Sequence, residues 1–154
     1  MNLTPHFTLE EMTFSQTATR DGLDNTPSAQ VVENLRLLCE HVLEPLRLQL
    51  NQSLQISSGY RSPQLNAAIH GAANSQHAEG KAADVLCPSI GTAALFRSVV
   101  QFGLDFDQVI FEGTWVHVSF NQGANRGNIL RAHFQPGSPT TYTALTRAQA
   151  LAIA

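Results

Sequence analysis

After Pro27-Ser28 the apolar residues Val31, Leu35, Leu38, Val42 and Leu46 recur at spacings of three and four, which predicts an amphipathic helix with one buried face. Pro45 falls inside that pattern. An internal proline loses a hydrogen bond and clashes with the preceding turn, so the helix is expected to kink or end there. A short strand is expected over 54–57, then a turn at Gly59 and a helix from Pro63 to about Ile69, with Pro63 suited to the first helical turn. Residues 82–86 read as a second strand and 92–102 as a second long helix.

The period then changes. In DQVIFEGTWVHVSF two β-rich runs flank Gly113-Thr114, and a glycine at the first position of a two-residue loop predicts a type II′ hairpin. That loop sets Glu112 opposite Trp115 and Ile110 opposite His117. Strand alternation places Glu112, Trp115, His117 and Ser119 on one face and Val109, Phe111, Val116, Val118 and Phe120 on the other. The second set is wholly apolar and is expected to face helices; the first looks like a site face. A further strand is expected over 128–134, while the Thr- and Ala-rich tail 136–154 reads as a loosely docked helix or as disordered. The elements predict an α+β fold: a small, mainly antiparallel sheet with helices packed on one face. One domain spans 1–154, with its core at about 7–135.

Composition narrows the function. Nine basic against twelve acidic residues give a net charge of −3, so no basic footprint for nucleic acid is present. Cys39 and Cys87 lack the spacing of a zinc or redox pair and are expected to be reduced. MNLTPHFTLEEMTFS carries neither a basic nor an apolar signal region. No window is apolar for long enough to span a membrane, and synthesis in the cytoplasm is expected.

The candidate chemistry lies in SGYRSPQLN, SQHAEGKAADV and WVHVSF. His77, Asp84 and His117 form a three-ligand set suited to Zn2+, with a fourth position left for water. Gly80, between the first two, would let the chain turn so that both point at one metal. Spacing alone leaves a second reading open, in which these are polar loop and strand residues with ordinary hydrogen-bond partners. Glu112, diagonal to His117 across the hairpin, is a candidate general base for a zinc-bound water, or else an exposed residue near the hairpin tip. Arg61 is placed either to grip a substrate carboxylate or developing negative charge, or to pair with a local acid at the surface. His6, His41, His70 and His133 have no acidic or histidine partner at a persuasive spacing and read as structural or solvated.

These three motifs, with FTLEEMTFSQTA and the region from DNTP to LEPLR, resemble the M15 zinc peptidases: D-alanyl-D-alanine carboxypeptidases and peptidoglycan endopeptidases, most closely the short phage-type members. The resemblance spans roughly Phe7 to Phe120. It implies a Hedgehog/DD-peptidase-like fold, zinc held by His77, Asp84 and His117, and a substrate-holding role for Arg61. Further substrate contacts are expected from Ser75 and Gln76 beside the first ligand, and from Trp115 and Ser119 on the hairpin's site face. The chain departs from the family at one point. Several members carry the catalytic acid three residues before the last histidine, where this sequence has Thr114, so the base is assigned to Glu112 from hairpin geometry.

The expected activity is zinc-dependent hydrolysis of an amide bond in peptidoglycan stem peptides by a monomer, in a lytic, endolysin-like role reached through a phage-opened pore. Two alternatives stand beside it: a cytosolic D-Ala-D-Ala-type dipeptidase, and a non-catalytic, zinc-stabilised wall-binding module.

Overall fold

A computed structural model describes residues 1–154. The chain opens with a two-stranded ribbon, β1 (Asn2–Thr4) and β2 (Phe7–Thr8), and two short helices, α1 (Leu9–Thr13) and α2 (Gln16–Asp21). Thr8 and Glu11 close a reciprocal capping box on α1, which satisfies two orphan amide donors at its start. Ser28 caps α3 (Ala29–Leu38) by accepting from the Val31 amide.

Of the two outcomes expected at Pro45, a kink or an end, the end is corrected: helical backbone passes through it. A π-turn at Cys39–Leu43 links α3 directly to α4 (Glu44–Leu50), and the Glu44 amide reaches back to the Cys39 carbonyl. The wider turn lies just before the proline and takes up its steric demand, so helical backbone runs on to Leu50. The apolar stripe stays in phase across the join: Leu35, Leu38, Val42, Leu43 and Leu46 are all fully buried. His6 has the structural role expected of it, through an acidic partner that sequence spacing does not show. Its ring Nδ1 meets Glu44 Oε2 at 2.6 Å and its backbone amide donates to Oε1 at 2.8 Å, tying the ribbon to α4.

The rest of the chain builds the sheet: β3 (Gln55–Ser58), α5 (Pro63–Ala68), a 3₁₀ turn (Gln76–Glu79), β4 (Ala82–Leu86), α6 (Thr92–Gln101), β5 (Gln108–Phe111), β6 (Val116–Ser119), β7 (Asn128–His133), β8 (Thr141–Ala144) and α7 (Arg147–Leu151). The six strands run in the order β3-β4-β6-β5-β7-β8. Only the β5–β7 pair is parallel. The fold is therefore α+β with a mainly antiparallel sheet.

The hairpin register is the one alternation requires, with Ile110 opposite His117 and the Glu112 amide donating to the Trp115 carbonyl at 3.1 Å. Gly113 takes a φ of +83°, which suits the first loop position of a II′ turn. Val85, Val109, Val116 and Val118 are fully buried and pack in one core with Leu95, Phe96 and Val99 of α6 and with the α3–α4 stripe. Each such side chain contributes about 1.5–3 kcal/mol on burial, so this face holds the sheet while the opposite face is left for chemistry.

Of the two readings of the tail, the docked helix holds and disorder is corrected; the docking is firm and an edge strand precedes it. Residues 141–144 add the edge strand β8, and α7 folds back so that Ala150 and Ile153 enter the core. Thr146 and Gln149 form a second capping box at the start of α7. That box is a local sequence signal in T-R-A-Q, and burial of Ile153 supplies the packing that a five-residue helix cannot supply alone.

Candidate metal centre

Two of the three proposed ligands are cross-strand neighbours. Asp84 on β4 lies directly opposite His117 on β6, so strand alternation aims both side chains at the same face. The third, His77, comes from the 3₁₀ turn that precedes β4. Gly80 ends that turn with a φ of +72°, and a Cβ there would meet Val31 Cγ1 at 2.8 Å and Val31 O at 2.9 Å. Both the left-handed backbone and the close packing on α3 require glycine.

The donor atoms converge. His117 Nδ1 is 3.2 Å and His77 Nε2 is 3.4 Å from Asp84 Oδ1, and one potential ligand atom from each residue lies within 4.8 Å of the others. Tetrahedral ligands about 2.0–2.1 Å from zinc stand roughly 3.3 Å apart, so the set fits a small divalent cation. His77 Nδ1 donates to the Gly59 carbonyl at 2.8 Å, which fixes the tautomer and leaves Nε2 with a free lone pair. Burial pushes the Asp84 carboxyl upward, but the His117 ring above all, and the His77 ring beside it, outweigh that burial and hold the carboxyl well below the usual range. Asp84 is thus ionised, as a ligand must be.

The loop that carries Gly59 is braced from the N-terminal segment. The Tyr60 amide donates to the Met12 carbonyl at 2.7 Å, and a Cβ on Gly59 would stand 2.2 Å from that same oxygen. Only glycine allows this approach. Asn25 clamps the loop from the other side: its Nδ2 donates to the Thr13 and Tyr60 carbonyls, and its Oδ1 accepts from the Ser62 amide. Between those anchors stands Arg61, whose amide donates to the His77 carbonyl at 3.1 Å. Its Nη2 reaches Ser75 Oγ at 3.4 Å, and its Nε is buried with no hydrogen-bond partner. Burial lowers the Arg61 pKa, opposed by the negative charges of Asp84 and Glu112.

Arg61, Glu112 and the three candidate ligands line one cavity of about 760 Å³. Trp115 Nε1 donates to Glu112 Oε2 at 2.6 Å and so holds the carboxylate in place. Burial first, and Asp84's charge second, push the Glu112 carboxyl above its usual range, against the pull of His117, Trp115 and Arg61. Ser75 caps the 3₁₀ turn by accepting from the His77 amide. Ser75, Gln76 and Trp115 line the cavity, whereas Ser119 is fully buried, its hydroxyl directed at the Gln108 carbonyl, and lies apart from the lining. Thr114 is exposed at the hairpin tip.

Asp107, Gln108, Arg126 and Tyr142 are among the lining residues that reasoning from sequence missed. Gln108 follows from the same strand alternation that exposes Glu112. Asp107, Arg126 and Tyr142 carry no periodic signal, because each reaches the cavity through a loop or the edge strand. Asp107 is 1% exposed and accepts from Gln76 Nε2 and from the Arg126 amide, Nε and Nη2. Arg126 above all holds its carboxyl down to about 2.

A family model described as Peptidase M15 matches residues 5–119. No curated protein matches the chain significantly. No helix is long and apolar enough to cross a membrane.

Proposed function

The chain belongs to the peptidase M15 family, and from that premise we propose that it is a zinc-dependent peptidase hydrolysing an amide bond in the stem peptides of bacterial peptidoglycan, in a lytic role. The observation that carries this reading is the convergence of His77, Asp84 and His117 in a cavity that also holds a half-buried glutamate and a half-buried, under-bonded arginine.

When bound, zinc supplies Lewis-acid polarisation of the amide carbonyl and acidification of water. The chain's own groups do the rest. Glu112, ionised and aimed by Trp115, takes the proton of the attacking water and passes it to the departing amine. Arg61, whose guanidinium lines the cavity, stabilises the negative charge that develops on the carbonyl oxygen. Since its worth lies in planar donors held in a braced loop, Arg61→Lys should lower kcat/KM by about 10²-fold, near the effect of losing one oxyanion donor, with zinc content unchanged. Wild-type kinetics in that variant would return Arg61 to a structural role.

The function itself is tested on purified sacculi, synthetic stem peptides and free D-Ala-D-Ala. New amino groups should appear from sacculi and stem peptides, stop on chelation and return with zinc. Product masses identify the scissile bond. Turnover of the free dipeptide alone would replace this reading with the dipeptidase, and zinc binding without turnover of any of the three would replace it with the wall-binding module.

A further inference from the structure

We infer that Arg126 is a specificity-determining residue that reads a carboxylate of the substrate, on the cavity wall formed by the 120–127 loop. The inference rests on the peptidase reading above and deepens it. Arg126 lies beyond residues 5–119, so the family match carries no information about it.

Asp107 fixes the Arg126 side chain. This carboxylate is 1% exposed yet accepts four hydrogen bonds, three of them from Arg126: backbone amide at 2.8 Å, Nε at 3.0 Å and Nη2 at 2.8 Å. A buried carboxylate with two side-on contacts holds the guanidinium plane in one orientation. Of the five N–H groups of an arginine, Nε–H and one on Nη2 are used; the Nη1–Nη2 edge makes no hydrogen bond within the chain. The Arg126 side chain is 53% exposed and lines the cavity with Arg61. That free edge is a two-pronged donor suited to a carboxylate.

The other charges of the cavity have separate work. Arg61 sits beside Ser75 and His77, near Asp84 and Glu112. Arg126 stands on the wall tied to Gln76, whose Nε2 donates to Asp107 at 2.8 Å. No lysine lines the cavity. Because Asp107 balances the charge of Arg126, recognition depends on fork geometry more than on long-range attraction. A stem peptide with lysine as its third residue, the kind used in the test, offers two carboxylates for this fork, the α-carboxylate of its D-isoglutamyl residue and its C-terminus.

The test uses the full zinc-loaded chain and three synthetic stem pentapeptides: one fully acidic, one amidated at the D-isoglutamyl carboxyl and one amidated at the C-terminus. Wild type should favour the acidic peptide over one of the two amides by about 10- to 100-fold in kcat/KM, carried by KM, as expected for hydrogen bonds to a charged group. The amide that suffers identifies the carboxylate that is read. Arg126→Gln should erase the preference, bringing the acidic peptide to the level of that amide, while Arg126→Lys should restore only part of it. Equal losses for acid and amide would mean that Arg126 only anchors the loop, and no preference in wild type would equally overturn the inference. Trp115, the single tryptophan, lines the cavity, so its fluorescence on the metal-stripped chain reports peptide binding without turnover. Discrimination in binding without hydrolysis would sink the peptidase reading and keep this one; hydrolysis without discrimination would do the reverse.

Discussion

Asp84→Ala should lower zinc affinity by more than about 100-fold, because loss of an outer-shell partner alone costs about 10- to 100-fold, and Asp84 is the carboxylate against which both histidines converge. Wild-type protein is expected to carry about one zinc per chain, as one closed three-ligand set implies. At zinc concentrations 100 times the dissociation constant, binding should add about 2.7 kcal/mol of stability, and the Asp84→Ala protein should show no such gain. In the metal-free chain the depressed pKa of Asp84 contributes stability above the ordinary carboxylate range, lost as pH falls through that depressed value. The variant should therefore lose this acid dependence as well. Elemental analysis, thermal melts with added zinc and a melt series in pH check these results. Wild type that neither carries nor takes up zinc would remove the metal centre.

Glu112→Gln should reduce kcat by about 10²–10⁴-fold, the usual worth of a positioned proton-transfer group, with zinc content and thermal stability close to wild type. The amide is isosteric, and Glu112 is not among the three converging ligands. In wild type, activity should fall as pH drops through the pKa of this carboxyl, since a protonated glutamate accepts no proton. Burial and Asp84 set that value above the usual range in the metal-free chain, and a divalent cation beside Asp84 would pull it back down. The Gln variant should lose this acidic limb of the kcat/KM profile. Thr114, three residues before His117 but exposed at the hairpin tip, should tolerate alanine with little loss. Near-full activity in Glu112→Gln at full zinc occupancy would place the base elsewhere.

The hairpin was readable in advance because a two-residue loop leaves no freedom of register: once Gly113-Thr114 is the turn, Ile110 must meet His117. Glu112's place beside the candidate metal follows from that rule. That the helix continues past Pro45 was not legible, because the penalty for an internal proline assumes regular α geometry, whereas the π-turn at Cys39–Leu43 lies just before it. In the tail the helix was foreseen but not the strand or the firm docking, because their stability is tertiary. Residues Thr141–Ala144 are all exposed and look unstructured alone, yet they pair with β7 and lead to Ile153 in the core.

What the sequence by itself determined is local: the helical stripe from Val31 to Leu46, the alternation that separates the valines from Glu112 and His117, and the residue types able to hold zinc. These depend on periodicity and on the chemistry of single side chains, both written along the chain. The tertiary structure alone decided that Asp84 pairs with His117 across 33 positions, that the Gly59 carbonyl orients His77, and that Asn25 clamps the loop around Arg61. It alone put Arg126 on the cavity wall, through a carboxylate 19 positions earlier. Such contacts form where strand order and loop closure bring distant backbone together, and no short-range pattern records which segments will meet.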